Sequence, residues 1–221
     1  MRLLYGGTFD PVHEGHLAIA RAAAGLFGQP VHLLPSADPP HRAPPGASAA
    51  QRVSMLELAA GGDRRLRVDQ RELGREGPSY SVDTLAQVRA EVGPELPVVW
   101  ILGLDSLRDF DSWHDWRRIL ALAHVLGVER PGTAPAADWL RAQTPAVHDE
   151  LLPRWSAPLA LARAPAGLYA PMPMQPLRTE SATEVRRRIA EGLDWTPMVP
   201  ARVARFIIDQ GLYRPLAGRT V

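Results

Sequence analysis

Five short apolar runs, Arg2 to Tyr5, Val31 to Pro35, Leu66 to Asp69, Val98 to Leu102 and His124 to Val128, alternate with helical periodicity through the first 130 residues. The helical stretches are Gly15 to Leu26, Ala50 to Ala60, Ser81 to Val92 and Trp116 to Leu122. Strands separated by helices pair through right-handed crossovers, so the alternation predicts an α/β fold with a Rossmann-like, doubly wound, mostly parallel sheet. Ligands of such sheets bind beyond the carboxyl ends of the strands, near the point where strand order reverses.

Further along, prolines recur from Pro131 to Pro176, with a short helix expected at Ala136 to Gln143 and strands at Leu159 to Ala162 and Leu168 to Ala170. Helical signals return at Ala182 to Glu191, ending at Gly192, and at Pro200 to Gln210, ending at Gly211. A length of 221 residues suits one domain over 1–221, with 181–221 as a small C-terminal helical part.

Two absences narrow the chemistry. Without cysteine there is no thiol nucleophile, thiolate metal site or disulfide. Without lysine there is no P-loop lysine and no Schiff base, because all 25 basic residues are arginine. Phosphate must therefore be held by Arg, His or backbone amides. Net charge is +1 with acids and bases interspersed, so no nucleic-acid footprint is expected. No apolar run reaches the roughly 18 residues of a membrane span, and the N-terminus lacks signal-peptide features, so the expectation is a cytoplasmic protein with no membrane partner.

The string GGTFDPVHEGH, Gly6 to His16, follows the first strand and opens the first helix, where backbone amides and the helix dipole can receive phosphate. Gly6 and Gly7 suit a tight turn and close approach of a nucleotide. His13 and His16 are three apart at the helix entrance, so both rings can face one anion. No third ligand at matching spacing makes them a metal pair, and no protein-held metal is expected there. The loop Pro35 to Pro45 is rich in proline and polar at its centre, as a surface loop reaching a ligand would be. In SATEVR, Ser181 to Arg186, Ser181 and Thr183 sit at a helix start with Arg186 one turn in; read alone, this is a capped helix with an exposed arginine cluster, and only beside the first loop does it read as a phosphate site. Asp105 alone is equally an N-cap; of Trp113 and Trp116, spaced i and i+3, one should face inward, so Trp113 is equally core or ligand platform and Trp116 reads as core.

Together these motifs resemble the HxGH nucleotidyltransferases, and among them the bacterial nicotinate-nucleotide adenylyltransferases. The resemblance runs from Tyr5 to Arg214 through PSADPPHR, Arg52, GPSYSVDTL, ILGLDSL, Trp113 and Trp116, ERPG, SATEVR and GLYR. It implies transfer of the AMP part of ATP to nicotinate mononucleotide, giving deamido-NAD and pyrophosphate, with Mg²⁺ carried mainly by the ATP phosphates. The attacking phosphate is already an anion, so positioning and charge neutralisation are needed rather than a strong base.

The resemblance makes His13, His16 and Arg186 catalytic. It assigns ATP to Gly6, Gly7, Thr8, Phe9, His16, Gly103, Asp105, Ser181, Thr183 and Arg186. The mononucleotide goes to His41, Ser81, Thr84, Trp113 and Arg130. Ser81 is expected to cap its helix, and Trp113 to stack on the pyridine ring. The rivals are another phosphorylated acceptor, such as nicotinamide mononucleotide or phosphopantetheine, a non-catalytic nucleotide sensor, and a dehydrogenase. The aromatic platform argues against phosphopantetheine, the intact His16, Ser181 and Thr183 against a sensor, and the missing GxGxxG against a dehydrogenase. A homo-oligomer is compatible with the sequence but not indicated by it.

Overall fold

The computed structural model describes residues 1–37, 45–75, 77, 79–128, 136–172, 174 and 180–214. Six parallel strands form one sheet: β1 (Arg2–Gly7), β2 (Val31–Pro35), β3 (Leu66–Val68), β4 (Val98–Gly103), β5 (His124–Val128) and β6 (Tyr169–Met172), in the order β3-β2-β1-β4-β5-β6. The order reverses between β1 and β4, which pair from Arg2 against Val98 to Tyr5 against Ile101. Their carboxyl ends therefore open the crevice in which such sheets bind ligands.

The central strands β4 and β5 are buried along their whole length, as strands covered by helices on both faces are, whereas edge strand β3 exposes Arg67. Leu3, Val99 and Ile101 enter one core with helices α1 (Glu14–Phe27), α2 (Ala49–Ala60), α8 (Ala182–Glu191) and α9 (Ala201–Asp209). Leu4, Val98 and Trp100 enter the other, with α3 (Ser81–Val92), α4 (Leu104–Arg108), α5 (Trp116–Leu122), α6 (Ala136–Gln143) and α7 (Pro145–Leu151). Leu17, Ala20, Ala23 and Ala24 give α1 its inward stripe, and Gly28, at φ 64°, ends it in the left-handed conformation that glycine adopts cheaply. The C-terminal helices share the first core, through Val185, Val203 and Ile207.

One expected strand is absent. Residues Leu159 to Ala162 lie in a 3₁₀ segment, Pro158–Arg163, and the sheet position beside β5 is taken by Tyr169–Met172. The leucines at 159 and 161 alternate like a strand, but Leu161 is buried while Leu159 is 58% exposed, and Pro158 opens the 3₁₀ segment at its first position.

His124 heads β5 with no exposure, its Nε2 paired with the Ala164 carbonyl at 2.8 Å and its Nδ1 accepting from the Leu168 amide at 3.0 Å. Burial, with a smaller push from Arg89, holds its pKa below the usual histidine value, and the Ala164 contact opposes this. The imidazole is neutral when folded, so no penalty exists above the unfolded pKa of about 6.5; as pH falls below it, only the unfolded chain takes the proton and stability drops. Urea unfolding of the parent should therefore lose stability more steeply from pH 6.5 to 5 than unfolding of His124→Gln; identical slopes would contradict this role.

Candidate active site

The turn from β1 to α1 builds the site's centre. His13 is the N-cap of α1, extended at φ −138° and ψ 169°, and its Nδ1 accepts the His16 amide at 3.4 Å. In return the His16 Nδ1 accepts the His13 amide at 3.3 Å, and the two rings stack with centroids 3.6 Å apart. This is a capping box made of two histidines. Because both Nδ1 atoms accept, both imidazoles are neutral and each carries its proton on Nε2, where it can act as a donor. His13 is 2% exposed and His16 half-buried against Phe9, with ring centroids 5.0 Å apart. Gly15 leaves room for the pair, since a Cβ there would stand 3.0 Å from the His13 ring and 3.3 Å from the Glu180 carbonyl.

The glycines before the turn serve packing more than backbone freedom. A Cβ on Gly6 would lie 2.6 Å from the Trp100 ring, and one on Gly7 would lie 3.2 Å from Phe9. The positive φ in the turn falls on Phe9, at 51°.

Asp10, 5% exposed, ties distant segments to this turn. Its Oδ2 accepts from Gly46 at 2.8 Å, and its Oδ1 accepts from Ala47 at 3.0 Å and from the Tyr213 hydroxyl at 2.8 Å. Arg52, 1% exposed, donates to the carbonyls of Thr8 at 2.8 Å, Ser36 at 2.7 Å and Ala37 at 3.1 Å, joining the ends of β1 and β2. Burial lowers its pKa, and Asp10 and Tyr213 push it back up.

Helix α8 brings the second phosphate-binding candidate to the same place. Ser181 caps it, accepting from Glu184 N at 3.1 Å, with Thr183 in the first turn. Arg186 reaches across 176 residues to donate to the Asp10 carbonyl at 2.5 Å, and lies 3.5 Å from the Thr183 hydroxyl. Its neighbours behave differently: Arg187 and Arg188 pair with Glu184 on the helix surface. The arginine cluster is thus split, with one member turned inward.

Gly6, Gly7 and Thr8 also line a cleft walled by Ser36, Glu72, Ser79, Tyr80, Ser81, Trp100, Leu102, Asp105, Trp113 and His114 among others. Gly103 ends β4 as the N-cap of α4, and Asp105 in that first turn lines the cleft. Trp113 lines the cleft with its edge toward Phe110, whereas Trp116, 6% exposed, belongs to the core. His114 lies against Tyr80 with ring centroids 4.5 Å apart.

Two expectations for α3 need correction. Tyr80, not Ser81, is its N-cap, no side chain caps it, and Ser81 is its first residue on the cleft wall. Thr84 is fully buried and does not line the cleft; its hydroxyl donates to Glu72 at 2.8 Å. Glu72 is the residue that sequence reasoning missed: a buried carboxyl in the cleft whose pKa is raised by burial against the opposing pull of Thr84 and Arg75. An isolated Glu in a charged stretch carries no sequence signal for this. His41 and Arg130 lie outside the described residues, as does Arg42. Among the described residues no three His, Cys, Asp or Glu side chains gather as a metal site.

A doubly wound parallel sheet with a histidine-capped turn at its switch point defines a nucleotide-handling fold, and the chain belongs to the cytidylyltransferase-like family, whose pattern matches residues 4–188. A Stenotrophomonas maltophilia protein named "Probable nicotinate-nucleotide adenylyltransferase" is 46% identical over 97% of each chain. One from Marinobacter nauticus with the same name is 41% identical over 99% of this chain and all of its own. In fold the chain resembles Plasmodium falciparum nicotinic acid mononucleotide adenylyltransferase, solved in complex with NaAD, with TM-score 0.68 and 14% identity over 96% of each chain. Among the described residues no helix is long and apolar enough to cross a membrane.

Replacing Thr84 by valine leaves the buried Glu72 carboxyl without its hydroxyl donor. In urea unfolding at pH 7 this should destabilise the fold by about 1–3 kcal/mol, the usual cost of leaving a buried polar group without its hydrogen-bond partner. A change within experimental error would show that the carboxyl has an equal donor elsewhere.

Proposed function

We infer that this chain transfers the AMP part of ATP to nicotinate mononucleotide, giving deamido-NAD and pyrophosphate. The observation that carries the reading is convergence. Two neutral histidines at the α1 start lie beside the α8 start, and Gly6, Gly7 and Thr8 from the strand that leads into them line an aromatic cleft with Trp113. The relatives' names supply the chemistry that such a pairing fits.

In this reading an oxygen of the mononucleotide phosphate attacks the α-phosphorus of ATP in line. One P–O bond forms, the bond from the α-phosphorus to the bridging oxygen breaks, and pyrophosphate leaves with that electron pair. The nucleophile needs no proton removed, so the protein's work is alignment and charge stabilisation. The Nε2 donors of His13 and His16 contact the phosphates, with His16 directed to the α-phosphate as charge develops. Ser181, Thr183 and the first amides of α8 hold the β- and γ-phosphates beside Arg186. Asp105 takes the adenosine ribose, with Gly103 beside it, and Thr8 and Phe9 lend backbone after Gly6 and Gly7. Trp113 stacks on the cationic pyridine ring, and Ser81 with the α3 amides meets its carboxylate. His41 and Arg130 complete the mononucleotide contacts.

Among the described residues no group of His, Asp or Glu side chains gathers to cage a divalent ion, and the Asp10 carboxylate in the turn is bonded to Gly46, Ala47 and Tyr213. Mg²⁺ would arrive on the triphosphate oxygens, where it neutralises charge. The reading further takes 1–221 as one nucleotidyltransferase domain working in the cytoplasm.

Pyrophosphate release with ATP, Mg²⁺ and a panel of mononucleotides tests the assignment. Turnover should be fastest with nicotinate mononucleotide; preference for phosphopantetheine, or no turnover, would overturn it. In the same assay His16→Ala should lower kcat by roughly 10²- to 10³-fold while the protein stays folded, as loss of a donor to transition-state charge does. Trp113→Ala should raise KM for the mononucleotide and leave KM for ATP near the parent value. Equal damage to both would make Trp113 a packing residue.

A further inference from the structure

Tyr213 stands beyond α9 with its backbone at φ 62°, a conformation that a tyrosine adopts only when its surroundings hold it there. Its ring lies against Gly46, where a Cβ would come within 3.0 Å, and its hydroxyl donates to Asp10 Oδ1 across 203 residues of chain. Burial first, then the charge of Asp10, pushes its phenol well above the usual tyrosine range, so it stays a donor at any working pH.

This hydroxyl completes a set of three donors on the Asp10 carboxylate, the others being the Gly46 and Ala47 amides. The Arg186 guanidinium is ion-paired with the same carboxylate, its Nη1 standing 3.7 Å from Oδ2 and so beyond hydrogen-bond reach, while that Nη1 bonds the Asp10 carbonyl. A carboxylate and a guanidinium that can close on each other form a short, charge-assisted pair. Here the carboxylate is already occupied, and 36% of the Arg186 side chain remains exposed at the α8 start.

We propose that Tyr213 is a positioning residue for ATP: by bonding Oδ1 it holds the carboxylate at that distance, short of a direct hydrogen bond to Arg186, and so keeps that guanidinium available to the triphosphate. The proposal rests on the reading of Arg186 given above. Without the hydroxyl, Oδ1 has a spare acceptor site, the carboxylate turns toward Arg186, and the cation is spent within the protein.

The test is a double-mutant cycle in the full chain, with kcat and both KM values measured for the parent, Tyr213→Phe, Arg186→Gln and the double variant. Tyr213→Phe should raise KM for ATP about fivefold to twentyfold, leave KM for the mononucleotide within about twofold, and add less than about twofold in the Arg186→Gln background. An unchanged KM for ATP, the same multiplication in both backgrounds, or a Tyr213→Phe protein that does not fold would each overturn the positioning role. If Arg186→Gln alone leaves KM for ATP untouched, the phosphate reading of Arg186 is what fails, and the role of Tyr213 goes with it.

Discussion

The mutual hydrogen bonding of His13 and His16 is the interaction on which the site depends. A helix start leaves amides without partners, and the usual remedy is a short polar side chain at the N-cap. Here an imidazole caps from His13 and a second imidazole returns the bond from His16, so one small motif closes α1 and orients both rings. The same bonds settle the proton positions. Were either ring doubly protonated, its Nδ1 could not accept, and the cap would open. Ring orientation, tautomer and helix start are therefore one structural fact.

Around this motif the chain is drawn in by Asp10 and Arg52, two buried charges whose partners are mostly backbone groups. Asp10 collects the segment at Gly46 and Ala47 and the hydroxyl of Tyr213, while its own carbonyl receives Arg186. Arg52 bridges the ends of β1 and β2. Buried charges held by several hydrogen bonds are costly to disturb on one side only, which suits groups that must hold loops at a fixed distance. The topology does the rest, because the β1 and β4 ends diverge at the order reversal and leave room for a ligand between two helical layers.

The sheet was legible because β1 and β4 are apolar on both faces, and four helices, Ser81–Val92, Trp116–Leu122, Ala136–Gln143 and Ala182–Glu191, fall within their expected bounds. The strand expected at Leu159 to Ala162 failed because alternation over four residues does not distinguish a strand from a 3₁₀ turn when only one of the leucines is buried. Spacing put His13 beside His16, yet nothing in residue type shows that they cap each other. Arg186 was visible as one turn into its helix, but its separation from Arg187 and Arg188 depends on which face meets Asp10. The partners of Asp10 lie 36, 37 and 203 residues away, and Glu72 meets Thr84 only because α3 packs beside it. Long-range polar pairing carries no periodic signal.

The most direct measurement of the central claim is tautomer-sensitive ¹⁵N NMR of the imidazoles in the free protein at neutral pH, with His13→Gln and His16→Gln used to assign the two rings. The account predicts that both rings are neutral, with an unprotonated, hydrogen-bonded Nδ1 and a protonated Nε2, and that replacing either histidine perturbs the Nδ1 of the other. A ring protonated on Nδ1, or two rings that titrate independently of each other, would contradict it.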